Sequence, residues 1–173
     1  EPFRFSTALA LMPRVDAESV RILLQGFETA PEDVRPHLLT ALYGTLEPEV
    51  DRRFVEAYEY DPSLEVRVAA GLGLGRRGES LPDPLLERAR RTAWKDLEGD
   101  EPRLIEAAAD VLGVPPLAEG DLERLLAVLR RDRDTARRTA ALRALASAGA
   151  DPQAVASVLR EVVADPDLPD ELR

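Results

Sequence analysis

Apolar residues recur along this chain at intervals of three and four, and alternation at two is nowhere sustained, so helix is the only regular structure the pattern supports. Leu122, Leu125, Leu126 and Leu129 form one plain stripe, and Val155, Val158, Leu159 and Val162 form another. Punctuation falls between the stripes. Asp-Pro occurs at Asp61-Pro62, Asp83-Pro84, Asp151-Pro152 and Asp165-Pro166. An Asp side chain accepts from the orphan N–H groups of a first helical turn, and Pro needs no donor at the next position, so each pair predicts an N-cap followed by N1. Glu47-Pro48, Glu101-Pro102 and Ala30-Pro31 are expected to open helices as well. Punctuation this frequent leaves short helices of about 10 to 17 residues joined by tight turns, which is the pattern of helical hairpins.

The stripes also repeat. Asp61-Pro62, Val66-Arg67, Ala70, Leu74-Gly75 and Gly78 superimpose on a segment from Gly99 through Ala108 to Leu112-Gly113 at an offset of 38 residues. A further 33 residues on, the same positions fall on Asp132, Arg138, Ala141, Leu145-Ala146 and Gly149. A fainter copy lies 32 residues upstream, where Val34-Arg35, Leu38 and Leu42 occupy the corresponding positions. A period in the thirties predicts stacked repeats, in which each hairpin buries its apolar face only against its neighbours.

Five hairpins are predicted, with first and second helices at Phe3–Met12 and Ala17–Glu28, Glu32–Leu46 and Glu49–Tyr60, Ser63–Gly78 and Pro84–Leu97, Pro102–Gly113 and Asp121–Arg131, and Arg133–Ala148 and Gln153–Ala164. The repeats therefore span residues 3–28, 32–60, 63–97, 102–131 and 133–164 of a single domain, and 165–173 reads as the start of a further repeat or a closing cap. Val114-Pro115-Pro116-Leu117 is a stiff insertion within the fourth hairpin.

The consensus from Asp61 to Gly75, D-P-x-x-x-V-R-x-x-A-x-x-x-L-G, resembles the HEAT-like repeats of the armadillo/HEAT superfamily, in particular the short type of phycobilisome lyase subunits. That resemblance implies an all-α, right-handed α-solenoid whose second helices line a concave face suited to another protein. Ile105 stands where the repeat Arg belongs in the fourth copy, with Arg103 as a substitute, which interrupts any continuous Arg/Asp ladder.

Composition narrows the chemistry. With 45% apolar residues but only 5% aromatic, the core must be filled by Leu, Val and Ala, which suits close helix packing. The chain has 22 Arg, a single Lys (Lys95) and no Asn, a bias that suits a GC-rich bacterial genome, with thermophily as a second reading. No apolar run reaches the roughly 18 residues that span a bilayer, so the chain reads as soluble, with the cytoplasm favoured. Its first residues, Glu1-Pro2-Phe3-Arg4, read as those of a processed or trimmed piece. Zero Cys and the lone His37 leave no thiolate or imidazole metal cluster. A formal charge of −10 opposes a general nucleic-acid role, because phosphate binding rests on a basic surface.

Catalytic and cofactor motifs do not assemble. Gly73-Leu74-Gly75-Arg76-Arg77-Gly78 matches the dinucleotide-binding pattern G-x-G-x-x-G letter for letter, but those glycines should follow a strand and open a helix, whereas here they close one. They are expected to admit a neighbouring helix at Gly71 and Gly73, with Gly78 as a left-handed C-cap. The HEAT-type deoxyhypusine hydroxylases need repeated His-Glu pairs for their di-iron site, and this chain has none. Asp165, Asp167, Asp170 and Glu171 lack the spacing of a calcium loop, and no nucleophile elbow or phosphate loop is present. No cofactor and no enzymatic activity are expected.

A protein-binding surface remains. Opposite the apolar stripes, the second helices present Arg52, Glu56 and Glu59, then Arg88, Arg91 and Lys95, then Arg124 and Arg131, then Arg160, so the row turns basic towards its middle. Arg88, Arg91, Trp94, Lys95, Arg124 and Arg131 are the candidate groove residues, fitting an acidic segment of another protein, with Trp94 read either as a hot spot at the groove margin or as a core filler between hairpins. The same charges could simply solvate a helix face. A tetrapyrrole lyase or chaperone role like that of the resembling subunits is the alternative, and nucleic-acid recognition by a HEAT-like protein is the third. Phe3, Phe5, Leu9, Leu11 and Met12 make an apolar first helix, expected to meet a second copy or an adjoining domain.

Overall fold

The computed structural model describes residues 16–164 other than Glu119, and over these the chain is all-helical, with nine helices and no strand. The expected helix Phe3–Met12 and the segment 165–173 lie outside the described residues. The chain divides into two compact units, Glu1–Ala89 and Arg90–Arg173. The first holds α1 (Ala17–Thr29), α2 (Arg35–Ala41), α3 (Pro48–Tyr60), α4 (Leu64–Arg77) and a single 3-10 turn at Gly78–Ser80. Helix α5 (Asp83–Leu97) begins in the first unit and ends in the second, which continues with α6 (Pro102–Leu112), α7 (Asp121–Arg131), α8 (Thr135–Ser147) and α9 (Pro152–Ala164).

Several helices start where acid and proline adjoin. Helices α3, α6 and α9 open at Pro48, Pro102 and Pro152. The Glu101 carboxylate accepts from Arg103 N–H at 3.3 Å, and Asp151 accepts from Gln153 N–H at 2.9 Å. Elsewhere the capping acid has no proline partner: Asp16 accepts from Ser19 N–H (2.8 Å) and Asp134 from Arg137 N–H (3.0 Å). The bond from Ser19 lowers the Asp16 pKa.

Three expected starts move. Asp61 does not cap α4; its Oδ1 accepts from Ser63 N–H (2.9 Å) while its Oδ2 takes the Arg35 guanidinium (2.6 Å), and the helix begins only at Leu64. Asp83 lies inside α5, because Leu86 N–H donates to the Pro82 carbonyl and so closes the first turn one residue earlier. Ala30-Pro31 closes α1 rather than opening α2, which contracts from the expected Glu32–Leu46 to Arg35–Ala41. Bonds spanning three residues, Leu42 N–H to Leu39 C=O and Thr45 N–H to Leu42 C=O, tighten its end into turns.

The repeat is written in burial. Ala70, Ala108 and Ala141 occupy one repeat position, Leu42, Leu74, Leu112 and Leu145 another, and every one of these side chains is fully buried. Gly78 and Gly149, also equivalent, both carry positive φ after their helices, +50° and +68°. With ψ at −130°, Gly78 adopts a conformation reserved for glycine, outside the left-handed helical region expected of it.

Each unit packs alternate helices together. In the first, α2 and α3 both lie on α4, and α1 lies on α2; in the second, α6 and α7 both lie on α8, and α9 lies on α7. Small residues allow the approach. A Cβ at Gly73 would stand 2.7 Å from Phe54 Cδ1 and 2.9 Å from Tyr43 Cε1. At Gly113 it would meet Ser147 Cβ at 2.8 Å and the Ala144 carbonyl at 3.2 Å. Polar groups close the same contacts. Tyr43 donates to the Ala69 carbonyl (2.8 Å), and the Arg77 guanidinium pairs with Asp51, both being buried, while lying 5.4 Å from the centre of the Phe54 ring. In the second unit the buried Arg90 donates to the Val114 carbonyl (2.6 Å) and to the Pro116 carbonyl, holding the loop that contains the cis Pro115-Pro116 bond. Ile105, at the missing repeat Arg, joins this unit's core.

Two substitutions test this packing. Gly73→Ala should destabilise the fold by about 1–3 kcal/mol in urea unfolding, because two rings already fill the space of its methyl group. Arg77→Met should cost about 3–5 kcal/mol by leaving the Asp51 carboxylate buried and unpaired, and the double change Asp51→Leu/Arg77→Met should recover most of that loss.

Candidate interaction surface

Helix α5 presents a charged stripe because its apolar positions, Leu86, Ala89, Ala93 and Leu97, recur at three and four and turn inwards. Arg88 on its first half is half-buried and pairs with Glu59 of α3. The bond from Glu59 raises the Arg88 pKa further, so its charge is constant across all ordinary pH. Arg88 also lines an open cleft of about 480 Å³ in the first unit, together with residues of α1, α2 and α3.

The floor of this cleft is the buried ring of Phe27. Arg53 and Arg35 approach that ring at 5.5 and 5.9 Å from its centre, with Ala57 and Pro62 beside them and Tyr60 at the rim, 73% exposed. Three lining arginines, Arg35, Arg53 and Arg88, face three lining carboxylates, Glu28, Glu56 and Asp61, so the cleft has no net charge preference. Arg35 pairs with Asp61, Arg53 with Glu28 and Glu56, and Arg88 with Glu59. Of these lining residues, the sequence placed Arg88 and Glu56 on the outward row of the second helices and named Arg88 alone as a groove residue. The Phe27 ring ends the apolar stripe of α1 and reads as ordinary core, and nothing local announces that Arg35 and Arg53 converge on it.

In the second unit, Trp94 is buried, 6% exposed, with its Nε1–H donating to Asp121 Oδ1 at 2.9 Å. The Arg124 guanidinium covers its ring at 3.8 Å from the centre and also pairs with Glu98. Trp94 and Arg124 thus fasten α7 to the end of α5. Arg91, Lys95 and Arg131 are exposed, and none makes a hydrogen bond or ion pair with another described residue. Among the described residues no group of three or more His, Cys, Asp or Glu could hold a metal ion, and no helix is long and apolar enough to cross a membrane. His37 is exposed. The glycines that match the dinucleotide pattern lie in α4 and at its end, with Gly73 turned into the Phe54 and Tyr43 rings. No protein-family model, curated protein or solved structure matches the chain.

Replacing Arg124 by Ala uncovers the indole. Trp94 is the only tryptophan, so its emission should shift to longer wavelength in this variant, with a stability loss of about 0.5–1 kcal/mol for the exposed cation–π contact. Unchanged emission would mean that Arg124 does not shield the ring.

Proposed function

We propose that this chain is a right-handed HEAT-like α-solenoid and acts as a non-catalytic interaction scaffold, holding a segment of another protein along the face made by its second helices. The observation that carries this reading is the packing of helices two places apart, α2 with α4 in one unit, and α6 with α8 and α7 with α9 in the other. Stacked hairpins need that contact, because each repeat can bury its apolar face only on the next. The coincidence of the fully buried Ala and Leu positions across repeats supports the same architecture.

The surface chemistry supports a binding role. Helices α1 and α3, second helices of their hairpins, contribute the Phe27, Arg53 and Tyr60 walls of the cleft that Arg88 joins. An exposed tyrosine with half-buried arginines beside a shaped depression is a composition that protein partners use as anchors.

Affinity capture from a lysate of the source cell tests the reading, with mass-spectrometric identification of what is retained. The intact chain should hold a protein that a variant reversed at Arg88, Arg91, Lys95 and Arg131 does not, the two having the same circular dichroism. Retention of nothing by the intact chain would overturn the scaffold assignment.

A further inference from the structure

We infer that the second unit carries a docking surface for an acidic protein segment, made by Arg91, Lys95, Arg124 and Arg131; this rests on the scaffold reading and names its partner class. The chain is acidic overall, and nine of its 22 arginines make ion pairs with described residues: Arg21, Arg35, Arg53, Arg77, Arg88, Arg124, Arg130, Arg137 and Arg143. Arg91, Lys95 and Arg131 are exposed and make none with another described residue.

Helical geometry brings these three onto one surface with Arg124. Arg91 and Lys95 are four apart on α5 and share a stripe, which Glu98 continues in the turn just past the helix end, its N–H donating to the Trp94 carbonyl at 3.2 Å. Arg124 and Arg131 are seven apart on α7 and share another. The Arg124–Glu98 ion pair joins the two stripes, and the stacking of Arg124 on Trp94 holds the junction. Trp94 meets Asp121 and Glu98 meets Arg124, so the two helices run the same way, with Arg91 and Lys95 before the junction and Arg131 beyond it, and Arg124 neutralises Glu98.

The dimensions select the occupant. Seven residues of helix span about 10 Å, so the strip that runs from Arg91 to the junction and on to Arg131 is about 20 Å long. A strip of that length matches about six residues of extended chain at about 3.3 Å each. The net charge of −10 repels a long polyanion such as a nucleic-acid backbone at distances beyond the strip. A short run of Asp and Glu meets the cations without that cost.

Fluorescein-labelled hexaglutamate, titrated with the full chain and read by anisotropy, tests the inference. Saturable binding is expected at about 20 mM salt, weakening at least about tenfold by about 200 mM as the charges are screened. The emission of Trp94 should change with the same midpoint, because an acidic ligand competes with Glu98 for Arg124. Arg91→Glu/Lys95→Glu/Arg131→Glu should weaken binding more than about tenfold with melting temperature unchanged. Arg91→Gln/Lys95→Gln/Arg131→Gln gives the same reading should the reversal disturb folding. Equal binding by the intact chain and the Gln variant overturns the surface, as does tighter binding of labelled hexathymidylate than of hexaglutamate. A cellular protein captured equally by the intact chain and the Gln variant also overturns this surface while leaving the scaffold reading in place. Hexaglutamate bound through these side chains, with no protein captured from lysate, supports the surface and removes the scaffold reading.

Discussion

Close approach of helices is the constraint on which both units depend. With so few aromatic residues, a core of Leu, Val and Ala gains enough dispersion contact only if the helices come near one another, and that requires positions with little or no side chain. Gly73 meets the Phe54 and Tyr43 rings and Gly113 meets the end of α8, while Ala70, Ala108 and Ala141 are fully buried in the corresponding turn of successive repeats. Each fully buried Leu at the next repeat position then contributes about 1.5–3 kcal/mol by leaving water. A helix period can be repeated in sequence without this, but it would not stack.

Arginine serves the same contacts from the polar side. Its long stem crosses apolar surface, and its planar fork reaches a carboxylate or carbonyl about one repeat away. Arg35 reaches Asp61, Arg77 reaches Asp51, Arg90 reaches the loop at Val114, and Arg137 reaches Gly99 and Asp100. The partners are not one conserved ladder. At Arg35 and Asp61 the repeat Arg meets the repeat Asp; the equivalent of Asp61 in the next copy is Gly99, whose carbonyl accepts from Arg137. Backbone carbonyls thus stand in where the repeat has lost its carboxylate.

The same residue type divides into two roles according to what lies opposite it. Arg124 stacks on Trp94 and pairs with Glu98, so the charge beside the only tryptophan is partly structural. Arg91 and Lys95, on the outward side of the same α5 segment, make no ion pair with another described residue. In the first unit every arginine lining the cleft is matched by an acid, which makes that depression a place for shape and aromatic contact more than for charge.

Helix content and most helix boundaries were legible in the residues, because they follow from periodicity of three and four and from proline and acid at helix starts, which are local properties. The all-or-none burial of Ala70 and Leu74 and their equivalents follows from the same periodicity. Asp61 could not be read in this way: its carboxylate has a choice between capping α4 and taking Arg35, 26 residues away, and only the folded chain sets that distance. Trp94 likewise stood at the edge of its stripe, and burial beneath Arg124 depends on where α7 comes to rest. The cleft at Phe27 joins side chains of separate helices whose spacing no local pattern encodes. The amino-acid order by itself determined that this chain forms short helices in register with one another. Tertiary structure alone decided which charges are spent between helices and which are left facing water, because pairing depends on separations in space that packing creates.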